Sequence, residues 1–300
     1  MRYRFHTLDV FTETRFGGNP LAVVLDAEGI DDESMQKVTR EFNLSETVFV
    51  LKPDSSQHTA KLRIFTPARE LPFAGHPTVG TACLLAGLKS AGKPGKQTLA
   101  LEEKIGLIKA EVVVGSGESA EAEFVAAKLP EAIVKAPPVE RLAEALSLEP
   151  KDIGFEGHAP RCYSAGNAHT FVPVASLDPI RRIKPNMQRW SEVFDVKTGA
   201  PYIYCRQTER QGSSFHARMM APNWGIAEDP ATGAAAAAFA GVVMEHDKPA
   251  DGAHAFVIEQ GFEMGRPSII RLGIEVKGVK LAQVRVGGHA VRVSEGTIEI

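Results

Sequence analysis

The run from Ala231 to Met244 constrains this chain more than any other. Its fourteen residues contain no Asp, Glu, Lys or Arg, and most are alanine or glycine. Alanine is the strongest helix former, so the run reads as a helix. A helix with no polar face has no side to turn to water, so it belongs in a protein interior. It is also too short for a bilayer span, which takes about 20 apolar residues. The residues that lead into it are Glu228-Asp229-Pro230-Ala231-Thr232-Gly233-Ala234. A second segment has the same build. Glu70-Leu71-Pro72-Phe73-Ala74-Gly75-His76-Pro77-Thr78-Val79-Gly80-Thr81-Ala82 leads into Cys83-Leu84-Leu85-Ala86. Each puts a glycine turn before or inside the first turn of a helix of small residues.

The start of such a helix has a defined chemistry. Its first N–H groups lack intrahelical partners. The aligned peptide dipoles add about half a positive charge there. Pro77 suits the first helical position, where its missing N–H costs nothing. Glycine lets a ligand approach the backbone closely. Each start can therefore offer backbone donors to a carboxylate or another anion. Two such helices, with N-termini aimed at a shared cleft, would bind a small acid. The competing reading is a pair of core helices with glycine entry turns. A titratable side chain at each turn, His76 and Asp229, brings the two readings to parity.

Composition narrows the class. Lys+Arg number 34 against Asp+Glu 37, which excludes a strongly basic nucleic-acid binder. A content of 44% hydrophobic and 24% charged residues is that of a soluble globular protein. The N-terminal residues include Arg2 and Arg4 but no apolar run of signal-peptide length, so a cytoplasmic location and no membrane partner are expected. The cysteines at 83, 162 and 205 are far apart, with no C-x-x-C pair. That spacing carries neither a zinc signature nor a disulfide framework. No P-loop or G-x-G-x-x-G is present. Glu118 is read as the start of a solvated acidic stretch.

Helical and strand-like segments alternate along the chain. Asp32 to Phe42 places Met35, Val38 and Phe42 on one face, behind Asp31 or Asp32 as N-cap. Short β-branched or aromatic runs near 5–10, 21–25, 47–51, 60–65, 97–101 and 107–114 read as strands. The prolines at 130, 137 and 138 suit a linker, with Pro138 as first residue of a helix through Leu146. The second half repeats the mixture, with strands near 170–174, 201–206, 214–220, 255–259, 268–273 and 282–286 and a helix near 186–194. The expectation is an α+β protein with an N-terminal lobe over 1–128 and a C-terminal lobe over 129–287. Residues 288–300 read as terminal strands that fit either lobe.

Three side chains form a candidate acid/base set with no metal. Glu46 opens an apolar strand, where partial desolvation would raise its pKa toward a range useful for proton transfer. Read alone, it is better taken as a strand-edge glutamate in water. His76 lies at a helix start, where the positive helix end favours the neutral ring. A core or capping histidine is the competing reading. Asp229 precedes Pro230 and is, by itself, best read as an N-cap. Gly17-Gly18-Asn19-Pro20 reads as a turn between the first two strands. Its Asn19 can bond a substrate carboxylate or simply close the turn. Arg266, in Gly265-Arg266-Pro267-Ser268, can hold an anion or support its loop.

These motifs occur in a recognisable order. Gly18-Asn19-Pro20 precedes Ala22-Val23-Val24, then come Leu44-Ser45-Glu46-Thr47-x-Phe49 and Pro72-Phe73-x-Gly75-His76-Pro77-Thr78-x-Gly80. Glu228-Asp229-Pro230-Ala231-Thr232-Gly233 and Gln260-Gly261-x-x-x-Gly265-Arg266-Pro267-Ser268 follow. Together the sequence resembles the PhzF-like phenazine biosynthesis family over nearly its whole length. The resemblance implies a diaminopimelate epimerase-like fold. There, two similar lobes each wrap a mostly antiparallel sheet around a central helix, and the active site lies in the cleft between them. It implies a cofactor-independent isomerase of a small carboxylic acid, commonly a homodimer. A characterised member isomerises trans-2,3-dihydro-3-hydroxyanthranilate by moving a proton between ring carbons with a glutamate.

By motif position, Glu46 matches that glutamate. Ser45, His76 and Asp229 match residues that hold or polarise the substrate. Gly75 and Gly233 match backbone donors at the helix starts, and Asn19 and Arg266 complete the expected binding set. Ala234 stands where the characterised member has a serine, so one hydroxyl contact is absent. Two other readings share the fold, a non-catalytic small-acid binder and a two-thiol epimerase or racemase. The epimerase pattern would put its thiols at Ala74 and Thr232, which cannot abstract a proton.

Overall fold

Alternation of inward and outward side chains builds the strands that enclose the two small-residue helices. In the computed structural model, residues 1–222 and 226–300 are described. The chain divides into two compact units, Met1–Ala127 with Val286–Ile300, and Lys128–Arg285. The first contains β1 (Arg2–Val10), β2 (Asn19–Val24), α1 (Asp32–Phe42), β3 (Glu46–Leu51), β4 (Ala60–Phe65), β5 (Glu70–Leu71), α2 (Gly75–Ser90), β6 (Gly95–Glu103), β7 (Gly106–Val114) and β8 (Ser119–Val125). The second contains β9 (Glu131–Ala132), α3 (Val139–Leu146), β10 (Arg161–Ser164), β11 (Ala168–Pro173), α4 (Leu177–Arg182), α5 (Met187–Val193), β12 (Ala200–Cys205), β13 (Phe215–Ala221), β14 (Ile226–Asp229), α6 (Gly233–His246), β15 (Gly252–Gln260) and β16 (Ser268–Lys277). The last strand, β17 (Lys280–Glu299), starts in the second unit and finishes in the first.

The two units repeat one pairing order. In the first, β1 and β2 are antiparallel, β2 and β3 parallel, and β3 and β4 antiparallel. β4 then pairs antiparallel with the short β5 and parallel with β6, which is antiparallel to β7. The second unit runs the same way through β10, β11, β12 and β13, with the short β14, then β15 and β16. α2 follows β5 as α6 follows β14, so each unit holds its small-residue helix at the same point of the topology.

In the first unit the ring of strands closes. The last part of β17 pairs with β1 from Arg2↔Glu299 to Val10↔Ala290, and on its other side with β8. α2 touches strands β1, β2, β3, β6, β7 and β8. Its residues from Gly75 to Leu84 are all buried, as a helix without a polar stripe requires. In the second unit, α3, α4 and α5 form an outer layer that buries Leu142, Ile180, Trp190 and Phe194 against Val172 and Ile203. Among the described residues, no helix is long and apolar enough to cross a membrane.

Three local expectations change. The segment after Glu118 is not a solvated stretch but β8, with buried Ala120, Ala122 and Phe124 alternating with Glu121 and Glu123. A period of two decides this, and the acidic residues simply occupy the outward positions. Pro138 is the N-cap of α3 rather than its first residue. Asn19 and Pro20 are already strand, opposite Val10 and Asp9, so the turn ends at Gly18. A proline is tolerated at such a strand start, where no ladder hydrogen bond is lost.

Candidate active site

A glycine that no other residue can replace sets the first group of side chains. Gly18 has φ +62°, and a Cβ there would lie 2.3 Å from the Val10 carbonyl oxygen. The turn it permits delivers Asn19 into the start of β2. Glu46 opens β3, opposite Leu21 of the parallel strand β2. His76 is the second residue of α2. These three converge. Asn19 Nδ2 lies 3.3 Å from His76 Nδ1, and Glu46 Oε2 lies 3.3 Å from His76 Nε2. The His76 side chain is 5% exposed and that of Glu46 13%.

Burial pushes the His76 imidazole down to about 3, a shift that the Pro20 backbone carbonyl only partly opposes. A histidine at pH 7 in this setting is neutral, with one N–H and one lone pair. Next to a carboxyl group, such a ring can hold, orient or exchange a proton without carrying a charge of its own. Ser45 precedes Glu46 and is half-buried. The N-cap of α2 is Ala74, which provides no side-chain cap, and no acidic residue occupies the first turn. The positive end of the helix is therefore not neutralised by its own first turn.

A further carboxyl group reaches the same turn. The Thr78 hydroxyl donates to the Ala74 carbonyl at 2.7 Å and also lies 2.7 Å from Glu103 Oε1. One hydroxyl has one proton. With that proton on Ala74, the Glu103 contact requires a carboxylic acid as donor. Burial does push the Glu103 carboxyl up, to about 8. The β6–β7 turn is pinned to the same region by the Ile105 N–H, which donates to the Pro72 carbonyl at 3.1 Å.

The second group lies around the start of α6. Asp229 ends β14 opposite Met219 and is buried. It is not an N-cap. That position belongs to Thr232, whose hydroxyl donates to Asp229 Oδ2 at 2.6 Å. Gln260 ties the turn from its other side. Its Nε2 donates to the Asp229 carbonyl at 2.7 Å and to Thr232 Oγ1 at 3.0 Å, while its Oε1 accepts from the Thr232 N–H at 3.1 Å. α6 has no side-chain cap and no acidic residue in its first turn. From Gly233 to Val243 every residue is buried except Ala234, which is half-exposed. Arg266 sits in the 261–266 turn, where its N–H donates to the Gly261 carbonyl at 3.0 Å.

The expected site residues thus form two sets, one in each unit. Asn19, Ser45, Glu46, Gly75 and His76 belong to the first, and Asp229, Gly233, Ala234 and Arg266 to the second. Ala74 and Thr232 are the two N-caps, so the epimerase thiol positions are equivalent in the structure and neither is cysteine. All three cysteines are free and buried. Burial pushes Cys83 and Cys205 up to about 12, which leaves poor nucleophiles. Among the described residues, no cluster of three or more His, Cys, Asp or Glu is placed to hold a metal ion. Sequence reasoning missed Glu103 and the Gln260 side-chain bonds. The Gln260-Gly261 motif was a signal for the latter, whereas nothing local marks Glu103 as buried.

Known proteins are similar to this chain in sequence and fold. A family model described as phenazine biosynthesis-like protein matches residues 8–296. An uncharacterized isomerase of Mesorhizobium japonicum is 51% identical, over 97% of each chain. The trans-2,3-dihydro-3-hydroxyanthranilate isomerase of Pseudomonas fluorescens is 33% identical, over 99% of each. The crystal structure of a PhzF-family phenazine biosynthesis protein from Bacillus anthracis superposes with a TM-score of 0.88 at 28% identity, over the whole of both chains. The α+β fold is accordingly the diaminopimelate epimerase-like one, and this chain belongs to the PhzF family of isomerases.

Proposed function

We propose that this isomerase moves a proton between two carbons of a small unsaturated acid, with Glu46 as general acid and base. The observation that carries the proposal is the Glu46–His76 contact. A carboxyl group 13% exposed stands 3.3 Å from a buried imidazole at the start of α2. Glu46 accepts the proton from one carbon and returns it to another. Neutral His76 packs beside the carboxyl and supplies no competing charge. The start of α2 offers backbone N–H groups and positive potential for negative charge that develops on the substrate. The start of α6, with Asp229, Gly233 and Ala234, is assigned to binding of the substrate's polar groups. The substrate class follows the Pseudomonas relative, which is named for trans-2,3-dihydro-3-hydroxyanthranilate.

The test is deuterium incorporation from D2O into that compound, followed by NMR or mass spectrometry. The parent protein should exchange the migrating position. Glu46→Gln removes the acid/base group but keeps the shape, and should slow exchange by about 10²-fold or more. Exchange at the parental rate in Glu46→Gln would overturn the mechanism. Binding of the compound with no exchange in either protein would favour a non-catalytic acid binder.

A further inference from the structure

His216 lies on β13, fully buried, 43 residues before Glu259 and 47 before Glu263. Its Nδ1 is 2.7 Å from Glu259 Oε1, and its Nε2 is 3.0 Å from Glu263 Oε1. Two ring nitrogens facing two carboxylate oxygens need two N–H donors, because a lone pair on either nitrogen would point at an oxygen lone pair. The ring is therefore an imidazolium held between two acids. The wider surroundings agree. Glu259 also accepts the backbone N–H of Glu209 at 2.5 Å and of Arg210 at 3.0 Å. Arg181 and Arg218 act on Glu263 from α4 and β13, Arg218 itself being held by Glu228. The other neighbours are the un-ionised thiol of Cys205, which pairs across from His216, and the edge of the Phe262 ring. Burial works against the charged ring, but the two carboxylates outweigh it and leave His216 raised to about 9.

What this ion triad holds matters more than the triad itself. Glu263 is the middle of the 261–266 turn, closed by Met264 and Arg266 N–H bonds to the Gly261 carbonyl. Gly261 has φ +79°, and a Cβ there would fall 2.7 Å from the Pro230 carbonyl oxygen. The turn therefore lies directly on the Asp229-Pro230-Ala231-Thr232 entry to α6. Glu259 is bound to His216 and is followed by Gln260, which bonds Asp229 and Thr232. One side chain thus fastens both supports of the α6 entry.

We infer that His216 is a positioning residue, which as an imidazolium between Glu259 and Glu263 fixes the 260–266 segment and through it the Asp229 turn. The inference rests on the assignment of that turn to substrate binding, but two of its readouts need no substrate. In the intact protein labelled with 15N-histidine, His216 should show both ring nitrogens protonated at pH 7.5. A single neutral tautomer would overturn the inference. Glu263→Gln keeps an acceptor at Nε2 and removes one charge. Amides of residues 231–236 should then exchange with deuterium about tenfold faster or more, the effect of losing one charge-assisted hydrogen bond, while those of 75–80 do not change. Unchanged exchange at 231–236 in a folded variant would also overturn it. If the proposed isomerisation is confirmed, the alkaline limb of its kcat profile should move to lower pH in Glu263→Gln, because His216 loses a partner that keeps it charged. A residue that contributed stability alone would lower Tm and leave that limb in place. Failure to isomerise the test compound counts against the proposed function and leaves the labelled-histidine and exchange results to decide the clamp.

Discussion

Two carboxyl side chains touch the first turn of α2, Glu46 through His76 and Glu103 through Thr78. The proposed proton transfer uses only the first, so the second is tested through stability. The Glu103 carboxyl is raised to about 8 in the folded chain against 4.5 when free. Between those values the folded state binds a proton that the unfolded state has lost, so stability falls as pH rises through this window. His76 acts in the opposite sense. Its folded value of about 3 lies below 6.5. The unfolded state binds the extra proton there, and stability is lost as pH falls below 6.5. Glu103→Gln mimics the neutral acid, since its amide N–H can donate to Thr78. Calorimetric melts should show that the variant loses less stability than the parent from pH 5 to pH 8, while the loss that His216 adds above pH 6.5 remains in both. At pH 8 its Tm should exceed the parent's by about 2 °C or more. The acid-side loss set by His76 should remain. A parental slope between pH 5 and pH 8 would mean that Glu103 is ionised in the folded protein.

Along α2, glycine has two different meanings. Gly80 faces the strands, and a Cβ there would lie 2.6 Å from Val10 Cγ2 and 2.7 Å from Leu21 Cδ2. Gly87, two turns on, has nothing within 4 Å of the same position. Alanine is better than glycine in a helix by about 1 kcal/mol, whereas overpacking a core costs about 1–3 kcal/mol. Gly87→Ala should therefore stabilise the protein by up to about 1 kcal/mol, and Gly80→Ala should destabilise it by a similar amount. Urea titration separates the two, and equal effects would show that α2 has room for a methyl group at Gly80. Such elements divide by what local pattern can reveal. The two small-residue helices were legible because absence of charge over a helical length has few other uses. α1 was legible from its 3.6-residue period and its Asp31 cap, which accepts from the Ser34 N–H at 2.7 Å. β8 was not, because its inward residues Ala120 and Ala122 are too small to register as a hydrophobic alternation beside Glu121 and Glu123. In the site, Glu46, His76 and Asp229 stood in short motifs. Glu103 and His216 act through partners 25 to 47 residues away, which spacing cannot show.

For the molecule as a whole, the two units differ in how the chain builds them. The second is one continuous stretch, Lys128–Arg285, whereas the first needs Met1–Ala127 and Val286–Ile300 together. Within the first unit the late segment is not a decoration. It pairs with β1 over nine residue pairs and with β8 on its other edge. The Ala290 backbone of this segment reaches Cys83 of α2, and Val286, Ala290 and Val291 are all buried. A chain ending at Arg285 leaves β1 and β8 as open edges with unpaired N–H and C=O groups, which invite association between molecules. It also uncovers a helix with no polar face, whose burial had been part of the driving force for folding. The loss should fall unequally. Limited proteolysis of the truncated chain should degrade residues 1–127 while a fragment near 128–285 survives. The full chain should yield both regions intact under the same conditions. Folding of the first unit also closes contacts between residues nearly 300 apart, such as Arg2 and Glu299. Pairing at that separation must wait for most of the chain, so refolding from urea should restore protection in the second unit before β1. Pulsed hydrogen exchange measures that order. Simultaneous protection of both units, or survival of 1–127 in the truncated chain, would show that the first unit does not depend on its late segment.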